Sequence, residues 1–135
     1  MKHIVFDSYA LIAFFRKEKS WELIQEFLIK MSNDEIIGWI TTVNVGEIYY
    51  MISRKSNAKQ AELAIDALLH FPITLVDADL KLALQAASLK AAYKLSYADA
   101  FAAALTISKK AVLLTGDQEF LNLKEEKDFE VQFID

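Results

Sequence analysis

At 135 residues the chain has the size of one ordinary domain, read as residues 1–135 without an internal boundary, and its 54% hydrophobic composition supplies a substantial core. One proline and three glycines leave little material for long irregular loops, and the lack of cysteine excludes disulfides, thiolate zinc sites and thiol catalysis. A net charge of −4 argues against a protein that grips a polyanion by bulk charge alone.

The cysteine-free composition fits a reducing compartment, most simply the cytoplasm. The early apolar run Tyr9–Phe15 is far too short to cross a bilayer, and it follows an aspartate rather than a basic segment. It reads as neither signal peptide nor membrane anchor.

In chain order, short apolar runs alternate with longer helical patterns. Ile4–Phe6, Ile36–Ile40, Ile73–Val76, Val112–Leu114 and Val131–Ile134 predict strands. They are short and continuously apolar, which suits a parallel sheet covered on both faces. Tyr9–Lys17 and Trp21–Met31 predict two helices split near Lys19-Ser20, with Ser20 as N-cap of the second. Val43–Ser53 and Lys59–Phe71 repeat apolar residues every three or four positions, and Pro72 closes the latter. Asp79–Lys94 is rich in helix formers, and Ala98–Ser108 is apolar on nearly every side, predicting a buried helix. The alternation predicts an α/β fold: three layers, α/β/α, around a mostly parallel sheet of about five strands.

Four carboxylates stand where strands end or helices begin: Asp7, Glu47, Asp99 and Asp117. Asp7 follows the first strand, where it suits a helix N-cap as well as a ligand site. Glu47 shares a helical face with Val43, Asn44, Tyr50 and Met51, an apolar setting for an acid. Ser96-Tyr97-Ala98-Asp99 matches a capping box with Asp in place of Glu, so capping alone explains that acid. Asp117 follows the fourth strand through Thr115-Gly116 and mirrors Asp7. If the four converge to about 6–8 Å, each pair repels by roughly 2–3 kcal/mol at an effective dielectric near 20. A hard divalent cation held by oxygen ligands relieves that repulsion. Ser8, Asn44 and Thr115 offer groups that can orient carboxylates, and Glu119 can reach the same place or face water. His3 and His70 lie away from these motifs and read as structural.

The segments Phe6-Asp7-Ser8-Tyr9-Ala10-Leu11-Ile12, Leu95-Ser96-Tyr97-Ala98-Asp99-Ala100 and Leu114-Thr115-Gly116-Asp117-Gln118-Glu119-Phe120, with the Glu47 helix between them, resemble the PIN-domain ribonucleases. The resemblance runs nearly end to end and is to the VapC-like toxins of VapBC toxin–antitoxin pairs. It implies that Asp7, Glu47, Asp99 and Asp117 form the catalytic, metal-binding site for one or two Mg²⁺ or Mn²⁺ ions. It implies hydrolysis of RNA to a 5′-phosphate and a 3′-hydroxyl. Supporting positions are Ser8, Asn44, Thr115 and Glu119, and Arg16, Lys17, Arg54, Lys55 and Lys59 are candidate RNA phosphate contacts. Implied partners are a protein antitoxin whose C-terminal segment blocks the site, and a second copy in a homodimer.

Other classes stay open at this point. An RNA-maturation nuclease would share the chemistry, and a non-catalytic metal-binding module would share the acids. A phosphoacceptor receiver domain would carry an Asp ending a middle strand and a Lys after a later strand. Here Ile36–Ile40 leads into Thr41-Thr42, and Ile73–Val76 leads into Asp77 without a later Lys-Pro pair. An aspartyl phosphatase would carry Asp-x-Asp where this chain has Asp7-Ser8-Tyr9.

Overall fold

Successive side chains of a strand point to opposite faces, so a strand buried on both sides must feed two cores. In β1 (Lys2–Phe6), Ile4 and Phe6 enter one apolar cluster and Val5 enters the other. The computed structural model describes residues 1–135 and places β1 at the centre of a five-stranded sheet. Its companions are β2 (Ile36–Thr41), β3 (Ile73–Val76), β4 (Val112–Thr115) and β5 (Glu130–Phe133), in the order β3-β2-β1-β4-β5. Every neighbouring pair runs parallel.

Helices cover both faces and complete the three layers. Helices α1 (Ser8–Phe15), α2 (Trp21–Ser32), α3 (Thr42–Lys55) and α4 (Ala58–Leu68) bury Leu11, Ile24, Ile48 and Leu68 on the Ile4 side. Helices α5 (Leu80–Ala92) and α6 (Tyr97–Ser108) bury Leu82, Leu89, Phe101 and Leu105 on the Val5 side, with Phe120 from a 3-10 helix at Gln118–Leu123. Helix α6 is buried along most of its length, as its apolar composition predicts. No helix is long and apolar enough to cross a membrane.

Each expected strand and helix is present, with ends displaced by at most about three residues. The largest displacement is at α4, which stops at Leu68 rather than Phe71. Phe71 directly precedes Pro72, and the proline ring disfavours helical backbone at that position. Ser20 sits at the start of α2 but does not cap it. Its backbone is left-handed (φ 71°), and its hydroxyl donates to Asp135 at 3.0 Å.

The strand order places the site. Connections from β1 build outward to β2 and β3 on one side; the chain then crosses to β4 and β5 on the other. The direction of winding therefore reverses between β1 and β4. In such sheets the carboxyl ends of the strands at the reversal leave a crevice for ligands. Asp7 follows β1 and Asp117 follows β4 by two residues, so both acids stand at that crevice.

Candidate active site

Asp7 ties α1 to the end of β4. Its Oδ1 accepts the Ala10 amide at 3.0 Å as the N-cap of α1, while its Oδ2 accepts the Thr115 hydroxyl from the end of β4. The residue is only 1% exposed, and burial pushes its carboxyl up to about 7. The hydrogen bonds from Thr115 and Ala10 oppose that rise, and the negative charges of Asp117 and Glu47 add to it.

Glu47 is delivered by α3, which starts where β2 ends. The Thr41 hydroxyl caps the helix by accepting the Asn44 amide at 3.0 Å. Glu47 Oε1 accepts from the Ser8 hydroxyl, and Oε2 faces the Tyr50 hydroxyl at 3.4 Å.

Asp99 sits in half of a capping box. Ser96 Oγ accepts the Asp99 amide at 3.1 Å, as the sequence pattern predicts. The reciprocal bond is absent, because the Ser96 amide donates instead to Glu119 Oε1 at 2.8 Å. The Asp99 carboxyl is thereby freed from the cap and turns into the groove. Burial pushes it up to about 8, followed by the charges of Asp117 and Asp7, a side-chain hydrogen bond shared with Asp117, and the charge of Glu47.

Asp117 starts the 3-10 helix, its Oδ1 accepting the Glu119 amide at 2.9 Å. Its own amide donates to Thr115 Oγ at 2.9 Å. Hydrogen bonds thus run without a break from Asp7 through Thr115, Asp117, Glu119 and Ser96 to Asp99.

Glu47, Asp99, Asp117 and Glu119 line an open groove of about 610 Å³, together with Ser8 and Tyr9, and Asp7 is buried beside it. Of the expected supporting groups, Ser8 and Thr115 each donate to one of the acids. Asn44 touches none of them. It is fully buried, accepts from the Thr41 hydroxyl at 2.6 Å and donates to the Ala98 carbonyl at 3.2 Å, tying the start of α3 to the start of α6.

The basic candidates divide. Lys55 lines the groove. Arg16 instead pairs with Glu18 at 3.6 Å and donates to Ser56, Lys17 lies over the Trp21 ring, and Arg54 lies over the Tyr50 ring. Lys59 is exposed near the start of α4 and does not line the groove. Sequence reasoning passed over Lys19, Tyr9 and Asp135, all of which line the groove. Asp135 carries no local signal: the β4–β5 pairing brings it there, where the Tyr9 hydroxyl donates to it at 3.1 Å.

The donor set suits a hard cation. It is all oxygen and carries several formal negative charges. No lysine or arginine pairs with any of the four acids, since Arg16–Glu18 is the sole ion pair in the chain. Two of the carboxyls are held above their ordinary value of 3.8, first by burial and then by the negative charge of their neighbours. No three of these acids stand around one ion-sized point in this arrangement.

The chain belongs to the PIN domain family, whose model matches residues 4–126. Solved structures extend the likeness over the whole chain. VapBC2 from Rickettsia felis, bound to a promoter DNA fragment, is 16% identical with a TM-score of 0.74, covering 98% of this chain and 99% of that one. DNA-bound VapBC from Salmonella typhimurium is 13% identical with a TM-score of 0.74, and both chains are covered completely. Mycobacterium tuberculosis VapC20, a Sarcin-Ricin loop cleaving toxin, is 15% identical with a TM-score of 0.73, covering 90% and 95%. No curated protein matches the chain.

Proposed function

We propose that this protein is a Mg²⁺- or Mn²⁺-dependent endoribonuclease acting as the toxin of a toxin–antitoxin pair. The observation that carries the reading is the meeting of Asp7, Glu47, Asp99 and Asp117 at the β1–β4 crevice without a basic partner. Membership of the PIN family and fold likeness to VapBC proteins and to VapC20, a Sarcin-Ricin loop cleaving toxin, support this reading.

A bound divalent ion supplies charge neutralisation at the phosphate and acidifies water at neutral pH. Glu47, Asp99 and Asp117 would hold that ion from the groove wall, with Asp7 contributing from beside it. Ser8 and Thr115 keep Glu47 and Asp7 turned inward. Lys19 and Lys55 offer positive charge at the rim for the flanking RNA backbone. The same acidic groove would accept a basic side chain from the C-terminal segment of an antitoxin, and the active form would be a homodimer in the cytoplasm.

Incubation of purified protein with RNA and Mn²⁺ tests the reading. Cleavage should vanish with EDTA and fall at least a hundredfold in Asp99→Asn and Asp117→Asn. Cleavage that persists in both variants would belong to a contaminant and remove the assignment. An adjacent reading frame encoding a small DNA-binding protein would support the toxin role over RNA maturation.

A further inference from the structure

On the face of α3 that carries Glu47, the next turn presents Tyr50 and the one after it Arg54. Tyr50 is a large aromatic side chain that remains 45% exposed beside the acidic groove. Its hydroxyl lies 3.4 Å from Glu47 Oε2, well beyond the usual 2.7–2.8 Å of a hydroxyl–oxygen bond, so it orients that acid weakly. Ser8 already holds the other oxygen of Glu47. The hydroxyl contact therefore does not account for an aromatic ring kept in water at this place. Arg54 lies over the ring, its guanidinium carbon 5.1 Å from the centroid. That contact stiffens the ring and leaves its remaining surface open.

We infer that Tyr50, backed by Arg54, is a stacking platform for one unpaired base next to the phosphate bound at Glu47. The inference rests on the ribonuclease reading above and names a base-binding subsite within it. Tyr50 stands one turn after Glu47 on α3 with its hydroxyl 3.4 Å from that acid, so the ring lies directly beside the carboxylate that the ribonuclease reading places at the metal. A base in a duplex has both faces covered by its neighbours, so this platform selects single-stranded or looped RNA. Lys55, adjacent to Arg54 and lining the groove, is placed for the neighbouring phosphate.

Steady-state cleavage of a short single-stranded RNA in Mn²⁺ tests this, using wild type, Tyr50→Phe and Tyr50→Leu. Tyr50→Leu should raise KM roughly ten- to hundredfold with kcat little changed, and Tyr50→Phe, which restores the ring without the hydroxyl, should recover the lower KM. Replacing one base beside the cleavage point by an abasic sugar should cost wild type the same factor and cost Tyr50→Leu nothing further. The Mn²⁺-induced rise in melting temperature should be equal in all three proteins, which separates lost stacking from misfolding. An equal loss in Tyr50→Phe and Tyr50→Leu would assign the effect to the hydroxyl on Glu47 and overturn the platform. So would an abasic penalty that persists unchanged in Tyr50→Leu. Cleavage by wild type with Tyr50→Leu unaffected sinks the platform alone; absence of metal-dependent cleavage by wild type sinks the ribonuclease reading as well.

Discussion

The Glu119 carboxylate accepts the Ser96 backbone N–H at 2.8 Å, taking the place in the α6 cap that Asp99 would fill in an isolated helix. A residue after β4 thus completes the start of a helix that precedes β4. The exchange matters because an acid engaged in its own helix cap has fewer lone pairs free for a ligand.

The expected role of Glu119 is therefore positioning. Glu119→Ala should cost about 1 kcal/mol of stability, the size of a lost helix cap, and should weaken Mn²⁺ binding measured by calorimetry. Glu119→Gln keeps an oxygen acceptor for Ser96 and should recover both. If Gln binds Mn²⁺ as poorly as Ala does, the carboxylate contacts the ion itself.

Burial of two acids, with neighbouring negative charge adding to it, gives the metal-free protein a pH-dependent stability. Asp7 and Asp99 titrate at about 7 and about 8 in the folded state, against 3.8 for the ordinary group. Between those values the native protein keeps protons that the unfolded chain has released, so stability falls as pH rises from about 4 to about 8. Each group contributes at most about 1.4 kcal/mol per pH unit. Urea unfolding in EDTA at pH 5 and pH 8 should show the higher midpoint at pH 5. Saturating Mg²⁺ should flatten the difference, since a cation then replaces the proton. Equal midpoints in EDTA would contradict the burial of these carboxyls.

Divalent ions should stabilise the fold by mass action, about 2.7 kcal/mol at a hundred times the dissociation constant. Mn²⁺ should therefore raise the melting temperature of wild type by several degrees, and that of Asp7→Asn much less. An undiminished rise in the variant would place the ion elsewhere.

Thr115 holds two acids at once, donating to Asp7 and accepting from the Asp117 amide. Thr115→Val keeps the shape but removes the hydroxyl from a fully buried position, and should cost about 1–3 kcal/mol. The lost hydrogen bond also lets the Asp7 carboxyl rise further, so Mn²⁺ affinity at pH 7 should fall while the affinity at pH 9 recovers part of the loss. Thr115→Ser should behave close to wild type in both measurements.

The sheet and its helices were legible because burial on both faces forces continuous apolar runs, as in Ile4–Phe6, fully buried within β1. The acids stood out because Asp7, Glu47, Asp99 and Asp117 interrupt such runs. Their local roles were only half legible: the Ser96–Asp99 spacing shows a capping box but not that Glu119 completes it. Ser20 reads as a cap by type and fails because its hydroxyl is drawn to Asp135 across the β4–β5 pairing. The basic residues were the least legible. A lysine or arginine on a helix end reaches ions, rings or groove according to neighbours that only the tertiary fold supplies, as Arg16, Lys17 and Arg54 illustrate.

The bond between Thr115 and Asp7 joins positions 108 apart in the chain. During synthesis the amino-terminal strand leaves the ribosome long before its partner exists, and a nascent chain ending short of Asp117 has no complete site. The enclosed setting of Asp7 is therefore a late product of folding, made only once β4 has docked beside β1.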